Sequence, residues 1–390
     1  MSSPRHPAVI ALALATAMLA AGCGNAAPAA QRSLSQAAPP GPPSLDTSLI
    51  TAAGTWAVAV MGGSAAQHNN FWQLFARPAG SRRWKLVTPP GVPDNGGLVL
   101  ADAGGRSLIT GFRPSQYLTY TPLTATRDGG QAWSSASPLN AALANAPDAL
   151  AAAPGSGKLL ALLTNGTATT AAPGSATWST LASRRSLAAT APGRRCGLQN
   201  FTAAAFTPSG VPLLAGACGH PGTAGIFAAR NGTWQAAGPA LPAALARQDI
   251  TVLRLTRTAN RIVTLLAAGT GPAASLLAAS SPDNGSHWSL SPPLSLNGAK
   301  LTSASFGPGG TAAIVLNGNR AETFAGTGAT WRTLPAPPPG TATLAPGPAG
   351  GFDALAVHRT RLTIWQLTPG SPTWATTQAI NVPIQFGSSG

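Results

Sequence analysis

The side chains of this chain that could hold an ion or move a proton are few, and they lie in polar stretches between short apolar runs. His68, Arg113 with Tyr117, His220, Arg320 with Glu322, and His358 with Arg359 occupy such stretches. Longer connections carry Arg184, Arg185, Arg194, Arg195 and Arg247, together with Asp94, Asp148 and Asp249. Arginine and histidine outweigh the acids there, so the chemistry on offer is capture of an anionic or carbohydrate ligand. His68 and His358 could share a metal only if a closed array made them neighbours, and neither a metal nor any other cofactor is expected. The chain has no Gly-x-Ser-x-Gly elbow, no His-Glu-x-x-His helix and no Walker-type phosphate loop.

The frame that must position these residues is a repeat. Trp84, Trp133, Trp178, Trp234, Trp288, Trp331 and Trp374 recur at intervals of 49, 45, 56, 54, 43 and 43 residues. Each closes a short turn rich in Gly, Ser, Thr or Pro, as in Asn231-Gly232-Thr233-Trp234. Such a period marks a radial array in which one unit buries its apolar faces only against its neighbours. A second register agrees, because a Gly-rich or Asn-containing turn precedes an apolar run in every unit. These runs are Trp56–Met61, Leu108–Phe112, Leu159–Leu163, Val211–Ala217, Ile262–Ala267, Ala312–Leu316 and Phe352–Val357. They are too short for ordinary helices, and their unbroken apolarity suits a strand covered on both faces.

The expected fold is therefore all-β: a seven-bladed β-propeller of four-stranded antiparallel blades over residues 46–390. Six or eight blades would need one accidental or one missed tryptophan. Helix signals are nearly absent, since Gly and Pro interrupt every window. In this architecture the ligand face is built by loops joining second to third strands and one blade to the next. Residues 49–61 already supply two strands of the first blade, so the ring could close without strand exchange. The apolar tail around Ile380–Phe386 is then expected against that first blade.

Two of the tryptophan turns are more specific. Thr126, Asp128, Gly130 and Trp133 in one, and Ser281, Asp283, Gly285 and Trp288 in the other, fit Ser/Thr-x-Asp-x-Gly-x-x-Trp. The carboxylate can accept backbone N–H bonds across the hairpin, glycine supplies positive φ, and the indole wedges into the apolar gap alongside. This pattern resembles the Asp-box, or bacterial neuraminidase repeat, of sialidase- and sortilin-type propellers and of propellers similar to photosystem II assembly factors. The resemblance implies that the hairpin lies at the rim, away from the ligand face, so that Asp128 and Asp283 are structural. It also implies an alternative function, a sialidase-like glycoside hydrolase with three arginines, a Tyr nucleophile activated by Glu, and an Asp acid. Here Phe112-Arg113-Pro114 lacks the aliphatic residue of the family's arginine motif. The only tyrosines are Tyr117 and Tyr120, and the only glutamate, Glu322, lies four blades further on. No catalytic residue is assigned, and a non-catalytic recognition or scaffold module is the preferred reading.

The first 22 residues read as a signal peptide: Arg5 and His6, an apolar stretch from Ala8, and the small residues Ala20-Ala21-Gly22 before Cys23. That ending resembles a bacterial lipobox, which implies lipidation of Cys23 and stable anchoring by several acyl chains. Residues 23–45, rich in Ala and Pro, read as a disordered tether. The expected location is the outer face of a bacterial cytoplasmic membrane. In that oxidising space Cys196 and Cys218, brought to the same end of one hairpin, are placed for a disulfide, the alternative being two buried thiols. Charged residues make up only 8% of the chain, against roughly 25% in an average globular protein. The net charge is nonetheless +15. Such an excess can steer anions toward the protein, so two readings stand: solvated arginines with no dedicated partner, or an anionic envelope polymer, a glycan or a membrane-protein partner. Nucleic acid is not expected, and the chain is read as a monomer.

Overall fold

The computed structural model describes residues 45, 47–63, 69–92, 95–113, 120–258, 260–324, 330–347 and 350–384. The leader, Cys23, the tether up to residue 44, His68 and Tyr117 lie outside the described residues. Each apolar run became the second strand of a sheet, paired on both edges. In Gly54–Gly62, for example, Ala57, Val58 and Ala59 are fully buried, which only a strand covered on both faces permits.

Among the described residues the strands form five four-stranded antiparallel sheets and one of nine strands. The nine-stranded sheet consists of two successive units, 198–236 and 250–295, joined by the single pair Ala217–Thr251. The other five span 48–86, 98–139, 150–183, 301–333 and 341–381. Numbered in chain order these are units 1 to 7, each beginning with its innermost strand. The fold is a β-propeller.

Five of the seven recurring tryptophans make a hydrogen bond or ring contact to the unit before their own, while the Trp178 indole N–H has no hydrogen-bond partner. The Trp288 indole N–H donates to the carbonyl of Ala237 at 2.9 Å, Trp331 to Pro292 at 2.9 Å and Trp374 to Pro335 at 3.1 Å. Trp133 of unit 2 meets Trp56 of unit 1 edge to face, with ring centroids 6.4 Å apart. An indole suits this place because its body fills the wedge between two twisted sheets while its N–H reaches a carbonyl at the rim.

Trp84 extends the pattern around the seam. Its indole N–H donates to Asp353 of unit 7 at 2.9 Å, and its backbone N–H and C=O both bond the Gln378 amide, at 2.9 and 2.8 Å. Asp353 also forms a buried ion pair with Arg77 of unit 1, whose guanidinium lies 5.2 Å from the Trp84 ring centre and donates to Pro346 O at 2.9 Å. Among the described residues no strand is exchanged: unit 1 runs in chain order from 48 to 86 and unit 7 from 341 to 381. The tail adds Val382, 5% exposed, to the apolar cluster that holds Met61 and Phe75 of unit 1.

The axis is filled by side chains. Where the sheets converge, the first strands carry small residues, Ala203, Ala204 and Ala205 in unit 4, Ser303 and Ser305 in unit 6 and Ala345 in unit 7. Arg254 enters this space from unit 5, just after a register shift between Val252 and Arg254 that re-aims the strand. Its Nη1 donates to Ala304 O of unit 6 at 2.7 Å, and its Nη2 lies 3.5 Å from Ser48 O of unit 1. Its Nε faces Asp148, at the entrance to unit 3, at 3.9 Å, and Asp148 accepts the Leu255 N–H at 2.6 Å. A second pair, Arg257–Asp102 at 3.0 Å, links units 5 and 2. Beside both carboxylates lies a cavity of about 20 Å³, room for roughly one water.

Burial pushes the Asp148 carboxyl up to about 6, against the opposing pull of Arg254 and the Leu255 N–H. Burial likewise lowers Arg254, and nearby Asp148 opposes that shift.

Two measurements test this axis. Arg254→Met, which strands a buried carboxylate, is expected to cost about 3–5 kcal/mol by urea denaturation, and adding Asp148→Leu should recover much of the loss. A carboxyl whose folded pKa exceeds its unfolded value holds its proton more tightly when folded. Its contribution is therefore fully present below the unfolded value near 4 and is lost as pH rises to about 6. Asp148→Asn should accordingly flatten one component of the fall in stability between pH 4 and 6, read as the difference from wild type.

Candidate functional site

The strand ends divide the work of the fold. At one end lie the turns between third and fourth strands. Thr126 Oγ1 accepts the Gly130 N–H at 2.9 Å and donates to Asp128 at 2.8 Å, while Asp128 accepts the N–H groups of Gln131 and Ala132 at 2.9 and 3.1 Å. Ser281, Asp283, Gly285 and His287 repeat this arrangement, with Gly285 N–H to Ser281 Oγ at 2.8 Å and His287 N–H to Asp283 at 2.8 Å. Gly130 and Gly285 have φ of +88° and +89°, a region that L side chains rarely adopt. Both carboxyls are held below their ordinary range, Asp128 chiefly by the Ala132 N–H and Asp283 chiefly by the His287 N–H. Their acceptor capacity is used within their own turns.

At the opposite end lie the connections expected to hold a ligand, and they do not gather the expected residues into one place. Glu322 lies within the third strand of unit 6 rather than in its loop, 1% exposed, bonded by Arg320 Nε at 2.8 Å and Thr333 Oγ1 at 3.0 Å. Both faces of this strand are covered, so Glu322 is buried, where an acid needs partners. His358 and Arg359 are exposed at a unit 7 turn, and the Arg359 carbonyl accepts the Gly62 N–H at 3.0 Å, tying units 1 and 7. Arg113 is buried beside unit 2, its backbone N–H bonded to Gly97 O at 2.8 Å.

What this end does gather is a basic helical pair that composition did not announce. The connection from unit 3 to unit 4 folds as α1 (Arg184–Ala188) and α2 (Ala191–Cys196). Ser183 caps α1 through a reciprocal bond with Ser186, and Thr190 caps α2 by accepting the Gly193 N–H at 3.2 Å. Gly197, left-handed at φ +62°, ends the pair. Turns this short leave no period of 3.6 to read, although the capping residues are visible in the sequence.

A disulfide between Cys196 and Cys218, both buried, fastens α2 to the second strand of unit 4. Next to it the exposed His220 ring places Nδ1 2.9 Å from the Arg195 carbonyl, and the loop from His220 continues to Gly222, whose N–H donates to Gln248 O at 2.8 Å. Arg184, Arg185, Arg194, Arg195 and Arg247 are all exposed around this frame.

The charge imbalance of this end has a structural origin. Residues 150–248 hold seven lysines and arginines and no acid. Elsewhere acids are spent inside: Asp102, Asp148, Asp353 and Glu322 face arginines, and Asp128 and Asp283 serve their turns. Only Asp249 among the described acids stands exposed beside the helical pair. Closely spaced exposed arginines that outnumber the acid beside them create a positive field that attracts polyanions, and salt screens it. Opening the disulfide (Cys196→Ser with Cys218→Ser) should cost roughly 3 kcal/mol. Hydrogen exchange should then rise across residues 184–197 while the second strands of other units keep their protection.

No family model and no curated protein matches this chain in sequence. Its structure is similar to that of a protein from Bacteroides uniformis provisionally assigned as a 6-phosphogluconolactonase, at 14% identity and TM-score 0.53, over 83% of this chain and 96% of that one. A protein from Lactobacillus plantarum matches at 10% identity and TM-score 0.52, over 84% and 96%. The polysaccharide lyase Uly1 matches at 11% identity and TM-score 0.50, over 77% and 84%. At such identities the likeness is one of fold, and it agrees with the all-β propeller built from the strand pairing above.

Proposed function

We propose that this chain is a non-catalytic recognition propeller that captures an anionic polymer of the bacterial cell envelope on its helical face. The observation that supports the reading is the set of exposed arginines on α1 and α2, pinned by a disulfide, with Asp249 as the one exposed acid beside them among the described residues. Helices held in place lose little freedom on binding, so more of the electrostatic attraction survives as affinity. The proposal includes the finer expectations from the sequence: Asp-box hairpins that serve the fold, and a lipid-anchored Cys23 that holds the propeller at the outer face of the membrane. The sialidase-like alternative is disfavoured by the sole glutamate, which is closed off by Arg320 and Thr333.

The test is retention on immobilised polyanions, polyphosphate and polyglutamate, against a neutral dextran. Wild type should be retained at low salt and released as salt rises. Arg184, Arg185, Arg194 and Arg195 replaced together by Gln should lower retention about tenfold or more, with unchanged melting. Equal retention of the two proteins would refute the assignment. Cys23→Ala should move the protein from the membrane fraction to the soluble fraction.

A further inference from the structure

We infer that Arg113 is an anion-binding residue, and that a small oxyanion, a carboxylate or phosphate group, is its ion partner. The propeller treats its inward-turned arginines by one rule. Arg77 faces Asp353, Arg254 faces Asp148 and Arg257 faces Asp102, each pair bridging two units. Arg113 departs from it. The residue is 2% exposed, its Nε and Nη1 have no hydrogen-bond partner, and no carboxylate pairs with it among the described residues.

Neutralisation does not resolve the discrepancy. Burial lowers the pKa of this guanidinium, but arginine keeps its proton in proteins. A buried cation with unspent N–H groups costs several kcal/mol unless something supplies charge and acceptors. Carboxylate and phosphate oxygens supply both, and the guanidinium accommodates them better than any other side chain.

Arg113 follows the second strand of unit 2 directly, so it stands at the same end of the sheets as the helical pair and not at the end occupied by the Asp128 turn. Its backbone is held by Gly97 O, and its stem passes over Gly97, where a Cβ would stand 3.8 Å from Cδ. Gly97 has φ +134°, a conformation that leaves this place to glycine. The stem is thus fixed, while Nε and Nη1 of the head have no hydrogen-bond partner and no carboxylate among the described residues faces it. A side chain whose role was only to fill space would not need a guanidinium.

The inference does not depend on the polymer-binding reading, and thermal unfolding tests it. Wild type, Arg113→Met and Arg113→Gln are melted in sodium chloride, then with inorganic phosphate or acetate replacing chloride at equal ionic strength. The expected result is that phosphate or acetate raises the wild-type Tm about 2 °C or more beyond any rise in the variants. A response to phosphate alone identifies a phosphate source, and a response to both a general oxyanion site. A rise shared equally by all three proteins reflects solvent exclusion alone and overturns the inference, as does no rise in any. If both variants are unfolded in chloride, the guanidinium already has an internal partner and the inference falls. The fourfold Arg→Gln variant of the helical pair should keep the full response, so failure here and failure of the polymer reading are told apart.

Discussion

A ring whose first and last sheets share no strand has to be closed by non-covalent contacts, and at the centre of those that close this one is the buried Arg77–Asp353 pair beside the Trp84 indole. Elsewhere in the array the chain itself runs from one unit to the next, so a loosened interface remains tethered. At the seam nothing covalent holds the sheets. A buried ion pair adds little net stability, because removing two charges from water offsets most of their attraction. It does impose geometry, since only one juxtaposition of units 1 and 7 satisfies both charges. The Gln378 clasp on Trp84 and the apolar tail around Val382 then supply the burial that an ion pair does not.

The same logic recurs at the axis. Where the sheets converge, Arg254 lies among small inner-strand residues and against the Phe306 ring, 5.5 Å from its centre. Arg254 is long enough to reach units 1, 3 and 6, and its donors meet carbonyls that inner strands present there.

A composition with few charges makes these interior pairs consequential for the surface. Of the nine acids in the chain, four pair with arginines and two serve their turns, so few remain to face the exposed arginines. The positive helical face therefore follows from how the core is built as much as from the arginines themselves. The disulfide matters in the same way, since two helices of five and six residues are too short to hold themselves together.

Much of the architecture was legible in the residues alone. The tryptophan register, the apolar runs and the two Asp-containing turns are local patterns, and local patterns survive as strands and hairpins because each depends on neighbours a few residues away. The pairing of Cys196 with Cys218 was legible for the same reason, since one hairpin separates them. Partnerships between distant residues were not. Nothing in the surroundings of Glu322 says that it turns inward to Arg320 and Thr333, nothing near Arg113 says that it is buried without a counter-ion, and nothing near Asp148 says that it meets an arginine 106 positions away, at residue 254. The amino-acid order by itself determined the repeating unit, the strand type and the hairpin chemistry, because these arise from periodicity and backbone preference. Which charges face each other, which arginine is left over and which surface stays positive were decided only when the sheets closed on a common axis, because Coulomb energy depends on separation in space and not on separation along the chain.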